Sequence, residues 1–282
     1  MARKANRSAD APETTPVAVV PATAAGLGPA RPDWVAREEP LEIRVRGRSV
    51  VVTMRTPGHD AELAAGFLLS EGLIRRRSDV TGIAPCAQAP ADPGGENIWN
   101  VFLAPGVEVD LAGLTRHVFA SSSCGLCGKA SIAAVRRQFA PAGAGPRVRA
   151  KVLLELPARL RAAQAAFTQT GGMHAAGIFT PRGRLVVARE DVGRHNAVDK
   201  VLGHGFLAGW LPFDRQILLV SGRASFEILQ KALAAGVAIV CAVSAPSSLA
   251  VEFARENGQT LAGFLRGGGM NIYAHPERLR PG

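Results

Sequence analysis

No stretch of this sequence approaches the ~20 consecutive apolar residues that a membrane-spanning helix needs. The longest apolar runs, Val237 to Val243 and Ile217 to Val220, are the size of strands. After the basic start Met1-Ala2-Arg3-Lys4 the only apolar stretch is Val17 to Val20, interrupted by prolines, so an export signal is not expected. Cysteine is scarce. Four residues (Cys86, Cys124, Cys127, Cys241) in 282 argue against a disulfide scaffold and, with no export signal, for a reducing compartment, the cytosol. Aromatic residues make up only 5%, with no interleaving of basic and aromatic positions, which leaves little for base stacking and speaks against nucleic acid as a partner. Acidic residues are outnumbered 23 to 33, giving a net charge of +10. Because the tail before Trp34 carries four basic and three acidic residues, the excess lies in the folded body. A phosphate-bearing ligand is its simplest specific use. No internal repeat is visible.

What is present, 47% hydrophobic and 20% charged residues, suits a globular protein of one or two domains. Residues 1–33, rich in Ala, Pro and Thr, read as a disordered extension. The alternation from Leu41 to Met54 around Gly47 predicts a hairpin, and Asp60 is placed to cap a helix over Ala61 to Leu69. Further short strands follow around Ile83 and from Asn97 to Leu103. The run Ala140 to Pro146 is the clearest linker, so we divide the chain into a β-rich N-terminal domain (34–145) and a second domain (146–282).

Beyond the linker, helices alternate with strands. Helices are expected over Pro157 to Phe167, Arg194 to Leu202, Ser225 to Ala235 and Ser247 to Asn257. Strands are expected over Ala176 to Thr180, Arg184 to Arg189, Gln216 to Val220, Val237 to Val243 and Thr260 to Leu265. The continuously apolar strands predict a layered, mixed α/β domain.

Several segments carry chemistry. Two strands end in small polar residues and pass directly into helices, at Ser221-Gly222-Arg223 and at Ser244 to Ser247, with Ser225 and Ser247 as candidate N-caps. Such strand ends gather ligands in open α/β sheets, and helix starts favour anions. Arg266-Gly267-Gly268-Gly269 is a loop where a backbone approaches a ligand closely, although it lacks the spacing of a Walker or Rossmann loop. Arg189 to Lys200 packs seven ionisable residues into twelve, with His195 and Asn196 in the first helical turn.

The most distinctive stretch is Ser121-Ser122-Ser123-Cys124-Gly125-Leu126-Cys127-Gly128-Lys129. Small polar residues around two thiols make them reachable. Zinc deaminases pair H-x-E with P-C-x-x-C, but His174 is followed by Ala175 and Ala176, so the proton-shuttling Glu is missing. A zinc site from Cys124, Cys127 and His174 is conceivable, yet a structural knuckle normally needs a second pair, and no metal is assigned. A thioredoxin-like site would want a preceding βαβ strand that residues before 121 do not offer. A nucleophilic thiol that accepts sulfur is the third choice, with Lys129 and the incipient helix favouring thiolate. On this reading Cys124 is the carrier and Cys127 its resolving partner or an auxiliary.

Five segments, in this order, resemble the formate dehydrogenase accessory sulfur carriers of the FdhD/NarQ family. They are Arg55 to Asp60 with Glu62-Leu63-Ala64 and Gly66-Phe67-Leu68; Cys124 to Gly128; Thr170-Gly171-Gly172 with His174-Ala175-Ala176; Arg189 to Lys200; and Gly263 to Arg266 with Asn271-Ile272-Tyr273 and His275-Pro276. The resemblance implies a protein that takes sulfur from a cysteine desulfurase as a persulfide on Cys124. It then passes the sulfur to the molybdenum bis(molybdopterin guanine dinucleotide) cofactor, a client destined for formate dehydrogenase. It also implies a homodimer with a cytidine-deaminase-like three-layer C-terminal domain, and maps the cofactor-binding segment to Phe264, Leu265, Arg266, Gly267, Gly268 and Gly269. Our own reading adds His174, Ser221, Arg223 and Ser247 as candidate cofactor contacts. A different class stays open: a guanine-nucleotide cofactor-binding chaperone without sulfur transfer.

Overall fold

The computed structural model describes residues 13–87, 97–109 and 139–280. Over residues 13–33 it differs from the expected disordered extension of 1–33, whose first twelve residues lie outside the described ones. Strand β1 (Thr14–Val19), the two-residue strands β2 (Ala22–Thr23) and β3 (Gly26–Leu27), and β4 (Arg31–Ala36) build an antiparallel ribbon. Pro16 and Pro32 hide the strand signal. They are tolerated because each strand of a two-stranded ribbon has one unpaired edge, where a missing N–H costs no ladder bond.

Strands β5 (Glu39–Val45) and β6 (Arg48–Arg55) form the expected hairpin, closed by Arg46 and Gly47, both at positive φ. That is the turn geometry whose twist matches the flanking strands. Helix α1 (Asp60–Ser70) follows, then β7 (Val80–Pro85) and β8 (Ile98–Leu103), completing a sheet of order β6-β5-β8-β7. Asp60 does not cap α1. His59 holds the cap position in a left-handed conformation, and the Asp60 carboxylate accepts from Arg55 Nε at 2.8 Å and Nη2 at 3.1 Å.

The second half opens with β9 (Val148–Arg149), α2 (Ala150–Ala162) and α3 (Ala165–Thr170). Helix α2 starts well before Pro157 and carries it inside, because Leu153, Leu156 and Leu160 form a buried stripe that sits on the sheet. Next come β10 (His174–Phe179), β11 (Leu185–Asp191), α4 (Arg194–Leu207), β12 (Ile217–Val220), α5 (Phe226–Ala234), β13 (Ile239–Ala242), α6 (Ser248–Glu256), β14 (Thr260–Arg266), β15 (Gly269–Ala274) and β16 (Leu279–Arg280). The six-stranded sheet runs β11-β10-β12-β13-β14-β15, with β12, β13 and β14 parallel. Strand parity sorts its side chains into two cores. Ile217, Leu219, Ile239 and Cys241 pack with α2, whereas Leu218, Val220, Val240 and Ala242 pack with α4, α5 and α6. Three layers result.

The larger core also takes in Leu41, Ile43, Val45 and the apolar face of α1, so hydrophobic contact continues across the linker near residue 145. The seam is α1 against α4. A Cβ on Gly66 would overlap the Asp199 backbone carbonyl, and one on Gly203 would overlap that of Glu62. Only glycine lets the two helices approach this closely. No helix among the described residues is long and apolar enough to cross a membrane.

Candidate functional site

Cys124 and Cys127 lie outside the described residues. The other candidates converge on one edge of the six-stranded sheet. His174 begins β10, which runs antiparallel to β12, so it stands beside the carboxyl end of β12 where Ser221 and Arg223 follow. Ser221 closes that junction: its N–H donates to the Ala175 carbonyl, and its Oγ accepts from the Ala175 N–H, each at 2.9 Å. The loops after β12 and β13 are then zipped together, with the Ala224 N–H on the Ala245 carbonyl and the Ser247 N–H on the Ala224 carbonyl. Ser247 caps α6, accepting from the Ala250 N–H at 3.2 Å. Ser225 occupies the cap position of α5 without its side chain bonding to the helix backbone, and its Oγ lies 3.3 Å from His195 Nε2 instead.

Arg266 to Gly269, expected as an open glycine loop, is the closing end of a hairpin whose first strand holds Phe264 and Leu265. Arg266 pairs with Gly269, and Gly267 and Gly268 form the turn at φ of 61° and 78°. Strand β15 is absent from the sequence-based expectation because Gly269-Met270-Asn271 has no apolar alternation. Phe264 adopts a left-handed φ of 55° while its N–H donates to the Ser244 carbonyl, tying the hairpin to the loop after β13. The Arg266 guanidinium lies 5.3 Å from the Phe264 ring.

The charge-dense run Arg189 to Lys200 divides into two roles. One half is structural. Asp191, fully buried, pairs with buried Lys200 at 2.8 Å and accepts from the N–H groups of Thr56 and Gly193 and from Asn196 Nδ2. Thr56 Oγ1 in turn accepts from the Val192 N–H. The Arg55 to Asp60 segment and the β11–α4 turn are therefore joined in one buried network, whose members satisfy one another away from water.

The other half faces the sheet edge. His195 Nε2 lies 2.7 Å from Glu227 Oε2. Burial opposes ionisation of Glu227, but hydrogen bonding and charge from His195 more than offset it and hold the carboxyl below its usual range. His174 is pushed below the usual histidine range, first by burial and then by Arg194, His195 and Arg223. Arg194 is the residue that sequence reasoning passed over: its Nε is buried with no hydrogen-bond partner among the described residues. Its only signal was membership of the dense run.

Two hollows meet at His174. One, about 610 Å³, is mainly apolar and lined by Phe167, Met173, Ser221 and Val243 among others. The second, about 210 Å³, is polar and includes Glu38, Arg194, His195 and Asn196. Of the two cysteines within the described residues, Cys241 is a poor nucleophile candidate by position, since it is buried in the sheet and burial pushes its thiol up to about 12. Cys86 is half-buried and directly follows β7 in the N-terminal sheet.

The three-layer α/β body, with the candidate residues in loops at the carboxyl ends of its parallel strands, has the fold of a crystal structure from Desulfotalea psychrophila. That structure, described as a formate dehydrogenase accessory protein, matches 95% of this chain and 100% of its own at a TM-score of 0.75 and 24% identity. The chain belongs to the FdhD/NarQ family, whose model matches residues 36–280. A Streptomyces coelicolor protein named sulfur carrier protein FdhD is 54% identical over 255 residues, covering 88% of this chain and 90% of that one. A Mycobacterium tuberculosis protein of the same name is 50% identical over 255 residues, covering 88% and 92%.

Proposed function

We propose that this protein is a sulfur carrier that serves formate dehydrogenase. The observation that carries this reading is the family match over residues 36–280, in a chain that holds the Cys124-Gly125-Leu126-Cys127 pair. In the proposed first step the Cys124 thiolate attacks the outer sulfur of a persulfide on a cysteine desulfurase. A new sulfur–sulfur bond forms on Cys124, and the donor cysteine leaves as thiolate. With Cys127 as resolving thiol, its attack on the inner sulfur releases hydrosulfide and leaves a Cys124–Cys127 disulfide, which a dithiol reductant must reopen. The sulfur acceptor is the molybdenum bis(molybdopterin guanine dinucleotide) client.

The strand-end cluster supports the client half of the proposal. Arg194, Arg223 and Arg266 supply positive charge for phosphates, the Gly267–Gly268 turn leaves its backbone open, and the His174 imidazole adds ring nitrogens that can hydrogen-bond a ligand. Complementation separates this reading from a chaperone that only shelters the cofactor. In cells lacking their own family member, Cys124→Ala is expected to abolish formate dehydrogenase activity while the purified variant still binds guanine nucleotide. Full rescue by Cys124→Ala would favour the chaperone.

A further inference from the structure

A cavity of about 600 Å³ opens beside the C-terminal ends of α4 and α5, whereas the strand-end cluster described above lies at their N-terminal ends. Its floor is apolar, formed by Phe206, Leu211, Leu233 and Ala234. Its mouth carries three consecutive arginines, Arg75, Arg76 and Arg77, all exposed, against a single carboxylate, Asp214. The turn bearing them is fixed: Asp79 Oδ2 accepts from the N–H groups of Arg75 and Arg76 at 2.8 and 2.9 Å, and Arg77 donates to the Val80 carbonyl at 2.6 Å. Arg75 and Arg76 form no ion pair among the described residues, and they project from a rigid turn. Trp210, 46% exposed, lies between the lining residues Gly209 and Leu211.

The placement of charge decides what fits. A site for a small anion puts its cations at the bottom, whereas here the buried lining, Phe206 and Leu233, is apolar and the exposed guanidiniums stand together on one side. An apolar centre with a charged rim is the anatomy of a protein interface, and Arg and Trp are the residues that dominate such interfaces energetically. We propose that this cavity docks an acidic segment of a partner protein, which inserts a bulky apolar side chain into the floor while its carboxylates face Arg75 and Arg76. The proposal is independent of sulfur transfer at Cys124. It also gives part of the +10 net charge a use other than phosphate binding.

The test uses the full chain and a short fluorescein-labelled peptide of Glu and Asp residues carrying two leucines, followed by anisotropy. Binding is expected, weakening as salt rises. The double variant Arg75→Glu with Arg76→Glu should bind roughly tenfold more weakly, and so should Ala234→Phe, which fills the floor. Far-UV circular dichroism and Tm, measured alongside, show that both variants are folded. The idea is overturned if the peptide does not bind, if a version with serine in place of leucine binds equally well, or if Ala234→Phe binds like the parent. It is equally overturned if a single-stranded oligonucleotide or anionic vesicles displace the peptide in preference, since that would mark a general polyanion patch. So is a monomer–dimer equilibrium that shifts with these substitutions while peptide binding does not, which would make the occupant a second copy of this chain.

Discussion

At Asp191 the charge-dense run turns out to be a fastening point. Its carboxylate gathers Lys200 Nζ, two backbone N–H groups and Asn196, and Lys200 also donates to the Thr56 carbonyl at 2.8 Å. Lys200→Met would leave Asp191 buried without its counter-charge, an arrangement that typically costs about 3–5 kcal/mol. A large drop in the urea midpoint is expected, and a variant as stable as the parent would refute the role. Glu62 has a different signature. Burial opposes its ionisation, but the close approach of His59 and the hydrogen bonds with Arg189 and His204 prevail and hold its carboxyl well below the usual range. A depressed folded pKa stabilises the fold above the unfolded value, about 4.3, and that contribution is lost as pH falls below it toward the folded value. Glu62→Gln should therefore lose stability at neutral pH, and its deficit relative to the parent should shrink on acidification. Urea unfolding of both proteins across that range checks the sign.

Elements are joined here by glycine as much as by apolar side chains. Gly66 on α1 and Gly203 on α4 sit where the opposing backbone leaves no room for a Cβ. Gly66→Ala should cost about 1–3 kcal/mol by forcing the helices apart, read as a fall in Tm. The hairpin turn behaves otherwise. Gly267 and Gly268 have positive φ, and no atom of the described residues comes within 4 Å of where a Cβ would stand, so alanine there strains the backbone without striking protein. Gly268→Ala should lower Tm by no more than a few degrees, the cost of the backbone strain alone, and lower guanine-nucleotide affinity; unchanged affinity would count against the turn as a cofactor contact. The elements are unevenly legible in the sequence. The buried strands Ile217–Val220 and Ile239–Ala242 announce themselves as apolar runs, and Ser247 as a cap. By contrast, the proline-bearing ribbon and β15 lack alternation, and the α1–α4 seam depends on complementarity between segments far apart in sequence, which local pattern does not encode.

On the scale of the whole molecule, residue types nominate candidate positions but do not tell how the chain arranges them. His174, Ser221, Arg223 and Ser247, scattered over the second half, meet at one sheet edge because β10 opposes β12 and the parallel strands point the same way. That convergence follows from topology. Arg194 escapes sequence reasoning because its interest lies in a buried Nε without a hydrogen-bond partner among the described residues, which is a property of the fold. The linker near residue 145 is legible in composition, yet the larger core crosses it, since α1 and the N-terminal sheet find their apolar partner in α4.

The central claim is that sulfur travels on Cys124. Incubation of the purified protein with a cysteine desulfurase and cysteine, followed by alkylation, proteolysis and mass spectrometry without reductant, tests it directly. One added sulfur is expected on the peptide containing Cys124, and its loss in Cys124→Ala. Equal loading of Cys124→Ala, or sulfur found on Cys86 in its place, would contradict it.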